Sequence, residues 1–283
     1  MARSGAISPA GWWRLAPPPE TVHLPAGDVC HSDALLLLQA LKPKSADIIF
    51  LDPPFNLGKS YAARGPSDNL DETSYHRYIE SVLVTASAAL KPGGTLYLYH
   101  IPKWAIRFAP VLDRHLTFRH WIAISMKNGF VRGPYLYPAH YALLCFTRDN
   151  PKMFRRPKIP APKCRHCHGY IRDYGGYEKY VRDGINLSDF WDDISPVRHK
   201  KYKNRQANEL PLEIPRRAVA ISGRRGGLLV DPFAGSGTAL VAALEANMRF
   251  VGGDVSKRYC QLMQKRLASP SPKGTPCHRT ILP

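Results

Sequence analysis

The stretch of sequence that decides the fold is Ala46-Asp47-Ile48-Ile49-Phe50-Leu51-Asp52-Pro53-Pro54-Phe55-Asn56-Leu57. The run from Ile48 to Leu51 is apolar and too short for a helix, which predicts a strand buried on both faces of a parallel sheet. The two prolines have no N–H to donate, so this strand must end at Asp52. In an open α/β sheet, ligands bind beyond the carboxyl ends of the strands. The sequence therefore predicts a carboxylate and an aromatic ring at a ligand site.

These groups suit the activation of an exocyclic amine on a nucleobase, whose lone pair is conjugated into the ring. Asp52 and the carbonyl of Pro53 can accept both N–H bonds, so that the nitrogen pyramidalises as it attacks. Phe55 can stack on a base that is turned out of the duplex. A second interpretation stays open, in which the prolines stiffen a turn and Phe55 is an ordinary core residue.

A second motif lies far downstream and predicts a site for a nucleoside cofactor. It reads Gly227-Leu228-Leu229-Val230-Asp231-Pro232-Phe233-Ala234-Gly235-Ser236-Gly237-Thr238, a strand that opens into a glycine loop. A helical segment, 239–247, follows. Glycines and a helix N-terminus let backbone N–H groups approach a ligand closely. A further strand, 249–253, leads to Asp254, an acid placed to bind ribose hydroxyls.

Together the two motifs resemble those of the amino-group DNA methyltransferases that use S-adenosylmethionine. Asp52-Pro53-Pro54-Phe55 matches the catalytic Asp-Pro-Pro-aromatic motif of that family, and Phe233-Ala234-Gly235-Ser236-Gly237 matches its Phe-x-Gly-x-Gly cofactor loop. The catalytic motif comes first, as in the circularly permuted β class, where a target-recognition region lies between the two. The resemblance covers roughly residues 20–268. It implies an α/β fold with a doubly wound, mostly parallel, seven-stranded Rossmann-like methyltransferase sheet, S-adenosylmethionine as cofactor and double-stranded DNA as partner.

The resemblance also implies the site residues. The catalytic set is Asp52, Pro53, Pro54 and Phe55, and the cofactor-binding set is Asp28, Asn208, Asp231, Pro232, Phe233, Ala234, Gly235, Ser236, Gly237, Thr238 and Asp254. Asp28 is assigned to the cofactor adenine because it follows a predicted strand, 22–26, with a helix N-cap as the equal alternative. Asn208 is assigned to the methionine part of the cofactor, where this chain lacks the Lys-Pro pair of the family. Methyl transfer is direct, so no covalent enzyme intermediate is expected.

Alternating strands and helices predict one doubly wound sheet interrupted by an insertion. Helices are predicted at 34–41, 73–90, 103–115, 212–221, 239–247 and 256–267, and further strands at 95–99, 118–125 and 141–146. The expected organisation is a lead-in (1–19), a catalytic half (20–147), an inserted DNA target-recognition region (148–207), a cofactor-binding half (208–268) and a disordered tail (269–283).

The composition favours a polyanionic partner. Lys and Arg number 40 against 22 Asp and Glu, a formal charge of +18, and contacts to phosphates supply most non-specific affinity for DNA. Basic residues of the insertion are interleaved with Tyr170, Tyr174, Tyr177 and Tyr180, which suits contacts to phosphates and bases together. A merely solvated basic face is the alternative. Apolar residues within 184–196 are predicted to dock the insertion onto the sheet.

Other classes of protein fit the sequence poorly. No apolar run is long enough to cross a bilayer, and the six cysteines do not form a disulfide pattern, which favours a cytoplasmic, nucleoid-associated setting. Cys164 and Cys167 supply two of the four ligands that zinc needs, so no metal is assigned. Gly58-Lys59-Ser60 is no phosphate loop, because proline stands at 53 where that pattern needs glycine.

Three questions stay open at this point. Asp52 favours adenine N6 over cytosine N4, because the cytosine enzymes of the resembled family tend to carry Ser at that position. A non-catalytic DNA-binding subunit with the same fold is the alternative from another class. A homodimer and a cognate restriction endonuclease are partners known in the resembled class, and nothing in the sequence fixes either.

Overall fold

The structure, a computed structural model, describes residues 11–57, 70–125, 134, 136–164, 166–169, 182–194 and 209–268. The strands are β1 Thr21–Leu24, β2 Gly27–His31, β3 Ala46–Leu51, β4 Leu90–His100, β5 Thr117–Ser125, β6 His140–Thr147, β7 Lys158–Ile159, β8 Ile185–Asn186, β9 Phe190–Trp191, β10 Leu228–Asp231 and β11 Arg249–Asp254. The helices are α1 Ala34–Ala40, α2 Glu72–Ala89, α3 Pro102–Asp113, α4 Glu213–Ser222, α5 Thr238–Glu245 and α6 Lys257–Ala268.

Nine of the strands form one sheet in the order β1-β2-β11-β10-β3-β4-β6-β5-β9. Five neighbouring pairs are parallel, and β1 with β2, β4 with β6 and β5 with β6 are antiparallel. The mostly parallel, doubly wound sheet is therefore confirmed. Among the described residues the sheet has nine strands and not the predicted seven, because β1 pairs as a hairpin with β2 and the two-residue β9 joins the other edge. A two-residue strand has no periodicity to read.

Helices cover both faces of the sheet, which explains why its central strands are apolar throughout. Helices α1, α2 and α3 pack with Ile49, Leu51 and Leu98 in one core. Helices α4, α5 and α6 pack with Ile48 and Phe50 in the other. Alternate residues of β3 thus enter opposite cores, as the period of a strand requires.

Two glycines in β11 allow helices to lie unusually close to the sheet on its two faces. A Cβ on Gly252 would stand 2.3 Å from Leu240 of α5, and one on Gly253 would stand 2.4 Å from Leu37 of α1. A Cβ at either position would force the facing leucine side chain to shift. The two glycines therefore leave room for Leu240 on one face of β11 and for Leu37 on the other.

The described part of the predicted insertion is joined to α4 by a buried ion pair and to the sheet by a short strand. Trp191 and Ile194 are buried, and β9 pairs in parallel with β5. Arg217 of α4, only 1 % exposed, donates to both oxygens of Asp193 at 2.9 and 2.6 Å, and its guanidinium lies over the Trp191 ring. The predicted docking of segment 184–196 is confirmed for its described residues, 184–194. The four tyrosines of the insertion lie outside the described residues.

The lead-in is anchored by its tryptophans. Trp13 is buried and bridges to Leu41, and both Trp12 and Trp13 point their indole N–H groups at Asp28. Among the helices of the described residues, none has the length and apolar character needed to span a membrane.

Candidate active site

The two motifs meet because their strands are parallel neighbours. Ile49 of β3 pairs with Val230 of β10, and each motif begins immediately beyond the carboxyl end of its strand. The register therefore places Asp52 and the glycine loop 232–237 side by side, beyond the carboxyl ends of the two strands. This is the arrangement that the sequence predicts, and it is the crevice where ligands of open α/β sheets bind.

Two tyrosines lie within electrostatic reach of the Asp52 carboxylate. Burial raises the pKa of Tyr99 well above its ordinary value, and electrostatic interactions with Tyr141 and Asp52 raise it further. Burial and then the Asp52 carboxylate raise the pKa of Tyr141 in the same way. Both phenols therefore stay protonated. This end of the crevice thus combines the Asp52 carboxylate with uncharged aromatic rings.

Phe55 lies within an aromatic cluster rather than alone in the crevice. It is 6 % exposed, stacks on the His100 ring at 5.0 Å, and lies 5.9 and 5.7 Å from the rings of Tyr99 and Tyr141. Phe55 is thus as buried as an ordinary core residue, but its neighbours Tyr99 and Tyr141 are the rings that lie near Asp52. Tyr141 is only partly buried, so it presents the more accessible ring of this aromatic wall.

A hydrogen-bonded chain supports the motif from behind. The Tyr75 hydroxyl of α2 donates to the Pro54 carbonyl at 2.5 Å and lies 2.7 Å from Nε2 of His100. The Ile101 N–H donates to Nδ1 of His100 at 2.8 Å. Sequence analysis missed Tyr75 and His100, although a polar residue at the carboxyl end of β4, directly beside β3, is a signal that it could have used.

Asn56 directly follows the motif, and its side chain binds the backbone of Leu70. Its φ is 54°, a left-handed conformation that asparagine tolerates. Its side-chain amide donates to the Leu70 carbonyl at 2.8 Å and accepts from the Leu70 N–H at 2.9 Å. These bonds join Asn56 to the residue that follows 58–69. The sequence of 61–71 suggests either a loop that closes over the substrate or a plain surface loop, and 61–69 lie outside the described residues.

The glycine loop turns through two left-handed residues. Gly235 has φ 52° and Gly237 has φ 81°, a region that disfavours any residue with a Cβ. Buried Asp231 accepts the Phe233 N–H at 3.0 Å, and the Ala234 N–H donates to the Gly253 carbonyl at 2.9 Å. Asp231 and the loop backbone thus define the shape of the turn.

Asp254 ties the loop to the next strand. Its two oxygens accept the Gly235 N–H at 3.1 Å and the Ser256 N–H at 2.7 Å. A carboxylate has about four lone-pair sites, so it retains capacity for further donors such as ribose hydroxyls. Its position at the carboxyl end of β11 is the one that the sequence predicts.

A buried polar cluster, which sequence analysis missed, underlies the loop. The Ser236 hydroxyl donates to Glu209 at 3.3 Å, and Arg266 of α6 donates to the Ser236 carbonyl at 3.0 Å and to the Thr238 hydroxyl at 3.3 Å. Burial lowers the pKa of Arg266, and the nearby charge of Glu209 opposes that effect. The predicted loop residues Ser236 and Thr238 are therefore held from beneath. A charged residue in a closing amphipathic helix gives no sequence signal of this kind.

The placement predicted for Asp28 is wrong. Asp28 lies inside β2, which ends three residues later, and its carboxylate accepts from Trp12, Trp13 and His23 at 3.2, 2.8 and 2.7 Å. The N-cap alternative is wrong too, because Asp33 caps α1 by accepting the Leu35 and Leu36 N–H groups. The sequence predicts a single strand at 22–26, whereas the structure has a hairpin of two strands, β1 and β2. The strand end expected just before Asp28 is therefore the turn of that hairpin.

The two remaining assignments concern Asn208 and the cysteine pair. Asn208 lies outside the described residues. Cys164 lies near Cys167, with the Cys164 N–H donating to the Gly169 carbonyl at 2.7 Å. Across the described ranges, no three residues of the metal-ligating types His, Cys, Asp and Glu come together as an ion site.

A doubly wound sheet with a glycine loop and a following acid defines a Rossmann-like protein. A family model described as DNA methylase, N6_N4_Mtase, matches residues 46–265. The chain therefore belongs to this DNA methylase family.

Known proteins agree with that family. The type II methyltransferase M.BamHI of Bacillus amyloliquefaciens is 38 % identical over 243 residues, which are 85 % of this chain and 57 % of M.BamHI. The chain thus spans little more than half of that relative's length. The structure of PvuII DNA methyltransferase, cytosine-N4-specific, superposes with a TM-score of 0.62 at 14 % identity over 87 % of both chains. The M1.HpyAVI–SAM complex superposes with a TM-score of 0.53 at 16 % identity, over 84 % of this chain and 98 % of that one. These two structures share the fold.

Proposed function

We propose that this protein transfers a methyl group from S-adenosylmethionine to the exocyclic amine of a base in double-stranded DNA, with adenine N6 as the acceptor. The observation that carries the proposal is the parallel pairing of β3 with β10, which brings the Asp52 motif and the glycine loop to one edge of the sheet. The membership of the chain in the DNA methylase family supports the class of reaction.

The residues beyond the carboxyl end of β10 fit the cofactor. Phe233 to Thr238 would cradle it, with loop N–H groups and close backbone approach at Gly235 and Gly237. Asp254 would accept its ribose hydroxyls while still holding the Gly235 N–H. When bound, S-adenosylmethionine supplies an electrophilic methyl on a sulfonium, so that the N–C bond forms as the C–S bond breaks. Asp28 remains a predicted cofactor residue, although its carboxylate already accepts hydrogen bonds from three side chains.

Asp52 and Pro53 would act on the base. Their oxygens accept the two amine hydrogens, which frees the nitrogen lone pair from conjugation as the bond to carbon forms. The attack leaves a positive charge on the methylated nitrogen, which the Asp52 carboxylate beside it would stabilise. The nitrogen then releases one proton to solvent, and a neutral thioether is the second product. The aromatic wall of Phe55 and Tyr141 supplies stacking surface for a base turned out of the duplex. No nucleophilic side chain is required.

Cytosine N4 is the second candidate acceptor. The family model covers both N6 and N4 enzymes, and the same pair of acceptors suits either amine. Adenine is preferred because the resembled cytosine enzymes tend to carry Ser where this chain has Asp52. The DNA substrate itself is supported by the formal charge of +18.

One experiment tests both levels of the proposal. The full chain is incubated with duplex DNA and isotopically labelled S-adenosylmethionine, and the DNA is digested to nucleosides and analysed by mass. We expect labelled N6-methyladenine, whereas labelled N4-methylcytosine would support the second candidate. Asp52→Ala should abolish incorporation while binding of the labelled cofactor persists. A folded wild-type protein that binds DNA but neither binds the cofactor nor labels any base would identify a non-catalytic subunit.

A further inference from the structure

In the Asp52-Pro53-Pro54-Phe55 segment, only one backbone dihedral between the prolines and Phe55 can still rotate easily. Proline rings lock φ of Pro53 and Pro54. A residue that precedes proline is confined to extended conformations, which restricts ψ of Asp52 and Pro53. The remaining variable is ψ of Pro54. This angle sets the plane of the peptide that carries the Pro54 carbonyl and the Phe55 N–H.

The Tyr75 hydroxyl binds the carbonyl of that peptide at 2.5 Å. The direction of this bond is determined by the rest of the chain of hydrogen bonds. The Ile101 N–H can only donate, so Nδ1 of His100 carries no proton and Nε2 carries one. Nε2–H then donates to the Tyr75 oxygen at 2.7 Å, and the single proton of Tyr75 goes to Pro54.

His100 remains in this neutral form across the working range of pH. It is fully buried, and burial lowers its pKa to about 3. Its ring also stacks on Phe55 at 5.0 Å. One side chain therefore supports the motif twice, through Tyr75 to the Pro54 carbonyl and directly through the ring of Phe55.

We propose that Tyr75 and His100 are positioning residues of the methyl-transfer reaction. They anchor the Pro54 carbonyl, and because the prolines make the segment stiff, this anchor also holds the Pro53 carbonyl and the backbone of Asp52 in place. This inference rests on the proposed function and deepens it. Neither residue contacts the base, and both act through the motif. Displacement of a reacting group by about 1 Å costs on the order of a hundredfold in rate, so a lost tether should appear in kcat.

The test compares two tyrosine variants that lose the same group. Tyr75→Phe removes the hydroxyl that binds Pro54. Tyr97→Phe, in β4, removes a fully buried hydroxyl that binds Ser222 at 3.1 Å, away from the motif. We expect Tyr75→Phe to lower kcat at least tenfold while KM for DNA and the cofactor dissociation constant stay within about twofold. Tyr97→Phe should keep kcat within about twofold. Equal effects of the two variants on kcat, or an unchanged kcat in Tyr75→Phe, would overturn the proposal.

A double-mutant cycle tests whether the two residues act as one unit. His100→Asn removes the imidazole that donates to Tyr75. His100 acts on the Pro54 carbonyl only through Tyr75, although its ring also stacks on Phe55. The double variant should therefore lose less than the sum of the two single losses in kcat, a non-additivity expected of residues in one network. Fully additive losses would overturn the proposal that His100 holds Pro54 through Tyr75.

An NMR readout keeps this inference separate from the proposed function. The Phe55 N–H lies in the peptide that Tyr75 binds, so its amide resonance should shift in Tyr75→Phe and remain in place in Tyr97→Phe. This comparison holds even if the wild-type protein transfers no methyl group. An unshifted Phe55 amide would contradict the tether, whereas a shifted one with unaltered kcat would contradict its role in positioning.

Discussion

Asp47 and Leu228, which are 181 residues apart in the chain, are joined by a hydrogen bond of 2.9 Å from the Leu228 N–H to the Asp47 carboxylate. Asp47 lies at the start of β3 and Leu228 at the start of β10. The carboxylate also binds Lys91 at 2.7 Å and Arg224 at 2.6 Å. One side chain therefore fixes the register of the two strands whose far ends carry the two motifs.

Replacing Asp47 should destabilise the fold more than an exposed carboxylate with the same number of cationic partners. Asp47→Ala leaves a backbone N–H and two cations without their acceptor, and we expect a loss of about 2–3 kcal/mol in the free energy of unfolding. Glu72, which binds Lys103 and Arg107 at the surface, is the matched control. Glu72→Ala should change stability little, because exposed ion pairs are screened. Urea denaturation measures both, and equal losses would contradict the role of Asp47 in register.

Alanine substitutions at Gly237 and at Gly226 can distinguish the effect of backbone strain from an effect on cofactor binding. Both have left-handed φ, 81° and 70°, but a Cβ on Gly237 would stand 3.0 Å from Met263 while one on Gly226 meets nothing within 4 Å. Gly237→Ala and Gly226→Ala should each cost about 1–2 kcal/mol in stability. Only Gly237→Ala should also weaken binding of S-adenosylmethionine, by at least about tenfold, as isothermal titration calorimetry would measure. A Gly226→Ala variant with the same loss of affinity would argue that strain alone, and not the loop, sets the dissociation constant.

The buried His100 should make stability depend on pH. Its pKa is about 3 in the folded protein, against an ordinary value of 6.5. Between these values the unfolded chain binds the extra proton, so stability is complete above about pH 6.5 and falls by about 1.4 kcal/mol per pH unit as the solution is acidified. The rings around His100, those of Phe55, Tyr75, Trp104 and Phe108, do not titrate in this range.

The corresponding variant is His100→Asn. Its unfolding free energy, measured from pH 4 to 7, should lack this one-proton slope, although its stability at pH 7 will be lower. A slope as steep as that of the wild-type protein would show that another group is responsible.

Arg217 and Arg216 are neighbours in α4 with different energetics. Arg217 is buried between Asp193 and Glu213, so Arg217→Met leaves a buried carboxylate uncompensated and should cost about 3–5 kcal/mol. Arg216 pairs with Glu245 at the surface, and Arg216→Met should cost at most about 1 kcal/mol. Thermal unfolding of the two variants measures the difference. Equally small losses would mean that the Arg217–Asp193 pair contributes no more than a surface ion pair. The segment would then be held by the burial of Trp191 and Ile194 and by the pairing of β9 with β5.

Local chemistry along the chain determines much of this protein by itself. The end of β3 at Leu51, directly before Asp52, follows from two residues without N–H groups. The strand, glycine loop and acid from Gly227 to Asp254 follow from apolar periodicity, the conformational freedom of glycine and the spacing of the acid. Most of the predicted helices and central strands agree with the structure, because apolar periodicity is visible within a short window of sequence. The exceptions are the strand predicted at 22–26, which is a hairpin, the longer β4 and the short β9. The family resemblance rests on the same two motifs.

Tertiary structure alone decided the contacts between residues that are distant in the chain. The hairpin of β1 and β2 places Asp28 within a strand, where two tryptophans and a histidine bind it. Tyr75 and His100 reach Pro54 only because α2 and β4 pack beside β3, and Arg266 reaches the glycine loop only because α6 lies over it. Sequence patterns report the preferences of neighbours along the chain, whereas a hydrogen bond between distant residues depends on how whole elements pack, which no local pattern encodes.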